Sequence, residues 1–304
     1  MDAQGQAVVD RQNSLRGLKL LRARSEVYRQ AKSLQKLQLL LTVVAPLVGA
    51  VLGIICPDAR PYVATLSLTI TVLDAGLLDR AQRNRLKFAA KVSEEFDTEI
   101  LDLPWSAHVA GAHPTPEEIT RAANAWQRGD EKLHDWYPKD VGKAPLHLAR
   151  AICQRTNLWY DAELRRQYSG ILLAVSLTSF AVLFVIGLVR QITLIDFAAT
   201  ILAPAAPILV WTLRDFYRQR DAAEAQSAAR AEVEQMWALV LAGDCGAEEC
   251  ARRARELQNT IYSRRSSNPL VIPGLYNRLR PRLEAQMNAG AAELLAQAGI
   301  DTVN

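Results

Sequence analysis

The sequence predicts an all-α polytopic membrane protein: four transmembrane helices in two hairpins, joined to a helical cytosolic domain. Three observations predict it. Apolar residues are segregated into four runs although mean hydropathy is near zero. The runs form two closely spaced pairs, and lysine and arginine crowd the outer flanks of each pair.

Leu37 to Cys56 and Ser169 to Val189 carry no charge, while Tyr62 to Leu78 carries Asp74 and Ile192 to Leu213 carries Asp196. A helix rising about 1.5 Å per residue needs roughly 20 apolar residues to cross the hydrocarbon core. The second run is rich in Thr and Val, which suits a strand. A lone strand between spanning helices would leave its backbone unpaired in lipid, so the run reads as a helix. Pro57 to Pro61 separates the first pair and Arg190-Gln191 the second. The chain thus divides into a basic amphipathic N-terminal helix (1–36), transmembrane hairpin 1 (37–79), a cytosolic helical region (80–168), transmembrane hairpin 2 (169–213) and a C-terminal cytosolic helical region (214–304).

Orientation follows from basic residues beside the spans. Arg11, Arg16, Lys19, Arg22, Arg24, Arg29, Lys32 and Lys36 precede the first run, and Arg80, Arg83, Arg85, Lys87 and Lys91 follow the second. Arg165 and Arg166 precede the third run; Arg214, Arg218 and Arg220 follow the fourth. The hairpin tips hold one arginine each, Arg60 and Arg190. Both termini and residues 80–168 are therefore expected on the cytosolic side of a bacterial inner membrane. The net charge of +4 resides in the N-terminal tail, because the two large polar regions are nearly balanced. Such a tail suits anionic lipids, and no large basic domain offers itself to a nucleic-acid polymer. The first apolar run begins too late for a cleavable signal peptide.

Within 80–168 the second run continues as a polar helix, broken at Leu103-Pro104-Trp105. Thr115-Pro116-Glu117-Glu118 then opens a short helix, and a loop surrounds Trp136-Tyr137-Pro138. From Pro145 a helix runs directly into the third run. The C-terminal region reads as a long Ala-, Glu- and Arg-rich helix to about Leu241, a break at Gly243, a helix over Glu248 to Tyr262, a loop from Ser263 to Pro273, and a last helix ending near Gly299.

No dinucleotide, P-loop, nucleophile-elbow or zincin motif is present, and His108, His113, His134 and His147 lack ligand spacing. Of the four cysteines, Cys245 and Cys250 are spaced C-x4-C with no histidine nearby, so neither a metal site nor catalysis is expected. Polar and aromatic residues concentrate instead in Cys153 to Asp161 (CQRTNLWYD) and Tyr262 to Pro269 (YSRRSSNP). Arginine forks suit phosphates, and tryptophan or tyrosine faces suit bases. Composition leaves two readings open: a nucleotide pocket, or a polar network that ties the cytosolic helices together.

These stretches also carry a resemblance. Arg11-Gln12-Asn13, Tyr28, Ala31-Lys32, Phe96-Asp97, Leu103-Pro104-Trp105 and Trp136-Tyr137-Pro138 belong to it. So do Cys153-Gln154-Arg155, Asn157-Leu158-Trp159, Asp161, Leu164-Arg165, Tyr168, Arg265, Asn268-Pro269-Leu270-Val271 and Tyr276. In this order, over nearly the whole chain, the sequence resembles the SMODS-associated four-transmembrane effector family of cyclic-oligonucleotide-based anti-phage signalling. Tyr160 departs from the pattern, where a second tryptophan or similar ring is expected. The resemblance implies no cofactor, and a cyclic di- or trinucleotide as activating ligand. It further implies membrane disruption and death or arrest of the infected cell. On that basis Trp105, Gln154, Arg155, Asn157, Trp159, Asp161, Arg264, Arg265 and Asn268 are the candidate ligand-binding residues.

A pore-forming reading gives the intramembrane carboxylates a role. At 100° per residue Ser67, Thr71 and Asp74 share one stripe of the second span, a functional candidate facing protein or water. The alternative is that Asp74 anchors at the inner interface, and Asp196, at the outer end of the fourth run, is expected to be an interfacial anchor. Four helices are too few to enclose a wide path, so a homo-oligomer is expected. The opposing class is a small-solute transporter or regulatory membrane subunit. It calls for mid-bilayer polar groups and inverted repeats, and the sequence shows no repeat.

Overall fold

A computed structural model describes residues 5–45, 48, 56, 58, 60–189, 191, 193–198 and 203–301. Among them the structure is helical, with no strand. The elements are α1 (Gln6–Gln12), α2 (Leu15–Leu39), α3 (Arg60–Leu73), α4 (Asp79–Ile100), α5 (Ala107–Ala110), α6 (Pro116–Asn124), α7 (Leu146–Val189), α8 (Leu194–Phe197), α9 (Ala203–Leu241), α10 (Ala247–Ser267) and α11 (Pro273–Gln297). Single π-turns, Leu40–Val44 and Asp74–Leu78, continue α2 and join α3 to α4.

Local chemistry sets the ends. Ser14 caps α2, its Oγ accepting the Gly17 N–H at 3.0 Å. Gly17 is needed there, since a Cβ would run into the Arg11 and Gln12 carbonyl oxygens of α1. The basic tail is therefore two helices rather than one. Thr115 and Glu118 form a reciprocal capping box with Pro116 in the first turn of α6.

Two antiparallel pairs organise the rest. Arg16 reaches Glu95 and Glu99, Arg24 reaches Ser93, and Arg85 reaches Gln30, so α2 and α4 run in opposite directions. Arg155–Glu234, Asp161–Gln226 and Tyr168–Asp215 set α7 against α9 in the same way. The polar halves of both pairs, with α6, α10 and α11, enclose one core that includes Leu20, Leu21, Phe96, Ile100, Ile152, Leu158, Ile261 and Leu295. The apolar face of α2 is thus packed within protein. Burying such side chains contributes about 1.5–3 kcal/mol each.

Beyond the polar halves the surface changes character. Exposed large hydrophobics gather at Leu40 to Val48, Tyr62 to Leu77, Ile171 to Val189, Leu194 and Ile195, and Val210 to Leu213, all within the four apolar runs. A contiguous apolar surface of this kind marks a lipid or protein contact. Among the described residues one helix, α7, is long and apolar enough to cross a membrane.

One boundary differs from the sequence reading. Ser263 to Ser267 form the last turn of α10 and not a loop. Ser266 and Ser267 donate back to the Ser263 carbonyl at 2.9 and 2.8 Å, and Arg264 and Arg265 lie in the turn where the helix dipole favours cations. Asn268, extended before Pro269, stops the helix.

Candidate functional site

Asp97 is the centre of a buried polar network between α4, α7, α10 and the Tyr137 loop. Its Oδ1 accepts the Tyr137 hydroxyl at 2.7 Å; its Oδ2 accepts Gln258 Nε2 at 2.9 Å and Arg265 Nη1 at 2.5 Å. One helical turn earlier, Glu94 accepts Arg255 at 2.7 Å and Gln258 at 2.8 Å. Gln154 Nε2 donates to Gln258 and to the Ala254 carbonyl, and Asn157 reaches the Tyr137 hydroxyl at 3.5 Å. Both carboxylates are almost wholly buried. Burial raises the Glu94 pKa despite Arg255 and Gln258. It would lower that of Arg265, but Asp97 outweighs it and holds the guanidinium charged.

A second network lies nearer the apolar half of α7. Arg165 donates to Asp161 at 2.8 Å, to Gln219 at 2.7 Å and to the Pro269 carbonyl at 2.8 Å. Gln219 reaches the Leu270 carbonyl, and Tyr168 donates to Asp215 at 2.9 Å. Burial opposes ionisation of Asp161, but Arg165 and Gln226 outweigh it and keep the carboxyl below the usual range. For Asp215 burial wins and the pKa is raised.

The nine sequence-predicted ligand residues therefore separate. Gln154, Asn157 and Arg265 meet in the Asp97 network, and Asp161 serves the Arg165 network. Arg155 pairs with Glu234 at 2.8 Å. Trp159 packs against the Leu164, Tyr168, Val271 and Leu283 cluster. Asn268 is buried with its Nδ2 unpartnered, beside the half-buried Arg264. Trp105 lies elsewhere, donating to the Gly111 carbonyl and stacked on His113 at 4.1 Å. Arg150 holds that break open by donating to the Leu101 and Asp102 carbonyls, with Asp102 at positive φ. The side chains of Ser67, Thr71, Asp74 and Asp196 lie outside the described residues.

Sequence reasoning missed Glu94, Arg255, Gln258, Gln219 and Asp215. A signal existed: at 100° per residue Glu94 falls on the helix face of Ala90 and Leu101, and Gln258 on that of Ala254 and Ile261. A polar side chain in a core-facing stripe asks for a buried partner. A cleft of about 290 Å³ between α9 and α10 is lined by Glu232, Met236, Arg252, Arg253, Glu256 and Thr260, and by none of the predicted ligand residues. Its arginines are neutralised by Glu249 and Glu256.

The model of the SMODS-associating 4TM effector domain matches residues 6–294, spanning both networks and all four apolar runs. The chain belongs to that family. A protein of Bacillus cereus (strain VD146) described as a probable CBASS effector molecule is 21% identical over 277 residues, covering 88% of this chain and 90% of that one. No solved structure matches. As a SMODS-associating 4TM effector the chain has an effector role in anti-phage defence, exercised at a membrane. Family membership accounts for the apolar exposure that the fold leaves uncovered.

Cysteine accessibility separates the polar core from the apolar ends. Cys153 is fully buried, and burial and then Asp97 push its pKa far up. Cys250 is pushed up to about 12 by burial and by Cys245. Cys56, the last residue of the first apolar run, is exposed. A maleimide applied to the detergent-solubilised protein is expected to label Cys56 and leave Cys153, Cys245 and Cys250 unmodified until the protein is denatured. Labelling of Cys153 in the native protein, or protection of Cys56, runs against this arrangement.

Proposed function

We propose that this effector binds a cyclic di- or trinucleotide on its cytosolic side and, as a homo-oligomer, permeabilises the bacterial inner membrane, causing death or arrest of the infected cell. Four spans in two hairpins place both termini and residues 80–168 in the cytosol, with basic flanks facing anionic lipids. The observation that carries this reading is the continuity of α7. Its first half, Leu148 to Tyr168, is embedded in both polar networks; its second half, Ile171 to Val189, is apolar and exposed, without a helix break between them. A ligand that shifts the polar half therefore moves a spanning segment directly. Arg264, Asn268, Arg155 and Trp159 are the ligand contacts in this reading. Gln154, Asn157, Asp161 and Arg265 hold the helices that present them, and Trp105 closes the far end of the domain. No step of this scheme needs catalysis or a metal.

The test uses the full-length protein in liposomes loaded with a self-quenched dye. One member of a panel of cyclic di- and trinucleotides is expected to raise the melting midpoint and to release the dye. Asp74→Leu is expected to reduce release and keep the thermal shift, as a polar stripe of Ser67, Thr71 and Asp74 along the path requires. A panel that produces neither a shift nor leakage refutes the proposal, and unchanged leakage in Asp74→Leu removes the stripe.

A further inference from the structure

On one face of α2 two half-buried cations stand against aromatic rings and not against a carboxylate. Arg24 and Lys32, eight residues apart and separated by Tyr28, make no ion pair among the described residues. Arg24 donates to Ser93 Oγ at 3.0 Å and lies 4.3 Å from the Trp136 ring centroid and 5.1 Å from that of Tyr28. Lys32 Nζ lies 5.0 Å from the Tyr276 centroid. Both are half-buried. Desolvating a cation without a counter-ion is costly, and ring faces offset it only in part.

The neighbours add charge rather than remove it. Arg165 and Arg265 approach from α7 and α10, each matched by one carboxylate, Asp161 and Asp97. Arg165 and Arg265 thus have carboxylate partners of their own, and Lys32 and Arg24 are left without one among the described residues. The 268–271 segment crosses α2 at this point: Leu270 packs on Ala31, and its carbonyl accepts Gln35 Nε2 at 3.4 Å. That segment begins with Asn268, whose buried Nδ2 has no acceptor. Uncompensated cations, an orphaned amide donor and three aromatic faces describe an anion cleft with base-stacking surfaces.

We infer that the cleft between α2, α7 and residues 268–276 takes the phosphodiester groups of the activating nucleotide, with Lys32 and Arg24 as its cations and the Asn268 amide as its donor. This rests on the nucleotide-gated reading above and supplies its charge recognition. Two phosphodiesters carry two negative charges, one for each of Lys32 and Arg24. Lys32 lies on α2 only five residues before the first apolar run, so an anion bound there acts on both hairpins through Arg165 and α2. A phospholipid headgroup is also a phosphodiester, but the flanking Tyr28, Trp136 and Tyr276 rings favour a ligand that carries bases.

Burial, then Arg24 on its own helix and Arg165 on α7, lower the Lys32 pKa to about 8; Tyr276 faces it from α11. A bound anion favours the charged ammonium, so binding above pH 8 takes up a proton. Affinity is expected to fall as pH rises from about 8, by up to about tenfold per unit.

The experiment uses the full-length protein in phospholipid-free detergent. Lys32 acylation by an amine-reactive reagent is followed by peptide mass spectrometry alongside melting. The probes are sodium pyrophosphate, the cyclic nucleotide panel and, separately, nanodiscs of phosphatidylglycerol or phosphatidylcholine. Nucleotide and pyrophosphate are expected to protect Lys32. Lys32→Gln should bind nucleotide about 10- to 150-fold more weakly, as for one lost charge-assisted contact, and melt unliganded no lower than the parent. Lys32→Arg should retain binding within tenfold. A nucleotide that raises the melting midpoint but leaves Lys32 acylation and Lys32→Gln affinity unchanged overturns the cleft and spares the gating reading. Protection by pyrophosphate with no response to any nucleotide keeps the anion cleft and sinks the gating reading. Protection by phosphatidylglycerol alone assigns the cleft to lipid and overturns the inference as stated.

Discussion

Arg265→Ala is expected to destabilise the folded protein by about 3–5 kcal/mol, the cost of leaving a buried carboxylate without its partner. Asp97 is 1% exposed and keeps only Tyr137 and Gln258 when Arg265 is gone, with Glu94 one turn away adding like charge. Asp97→Ala should cost a similar amount by stranding the guanidinium. The double variant Asp97→Ala/Arg265→Ala should recover part of the loss, since neither charge is then unpaired. Thermal unfolding in detergent is the measurement, with a shift of roughly 10 °C for each single variant. Additive losses in the double variant contradict a paired role. A folded Arg265→Ala protein of parental stability with weakened nucleotide affinity moves Arg265 from the supporting network into the ligand contacts.

The second large effect concerns the joint of α7. Gly170→Pro is expected to abolish nucleotide-triggered dye release while the nucleotide still raises the melting midpoint. Proline removes one backbone hydrogen bond and clashes with the carbonyl four residues earlier, costing about 3 kcal/mol in a helix interior. Here that carbonyl belongs to Arg166, which also accepts Ser169 Oγ at 3.0 Å. The break falls between the buried Tyr168 and Ser169 and Ile171, the first exposed large apolar residue of the helix. Gly170→Ala is the contrasting variant. An added Cβ there meets nothing within 4 Å, so alanine should stabilise the helix by about 0.5–1 kcal/mol and leave leakage intact. If Gly170→Pro protein leaks as readily as the parent, the signal does not travel along α7.

The sequence by itself determined what depends on neighbours along the chain. Segregated apolar runs mark a membrane protein because lipid demands about 20 uncharged residues per crossing. Thr115-Pro116-Glu117-Glu118 specifies a helix start because the capping groups lie within one turn of it. The motifs around Cys153 to Tyr168 and Asn268 also carried the family, which the domain match shows.

Tertiary structure alone decided which polar residues are already satisfied. In the sequence Arg265 and Gln154 have no visible partners; the fold sets Arg265 on Asp97, 168 residues earlier, and Gln154 on Gln258. Ser263 to Ser267 read as a loop because their hydroxyls and arginines are polar, and they are helical because each satisfies a carbonyl or the helix dipole of its own turn. Lys32 and Arg24 looked like ordinary members of a basic tail. Only the fold, by setting Lys32 against Tyr276 and Arg24 against Trp136 and Tyr28 with no carboxylate beside them, separates them from the other cations of that tail. Whether a charge is compensated depends on contacts between distant segments, and local sequence does not encode those.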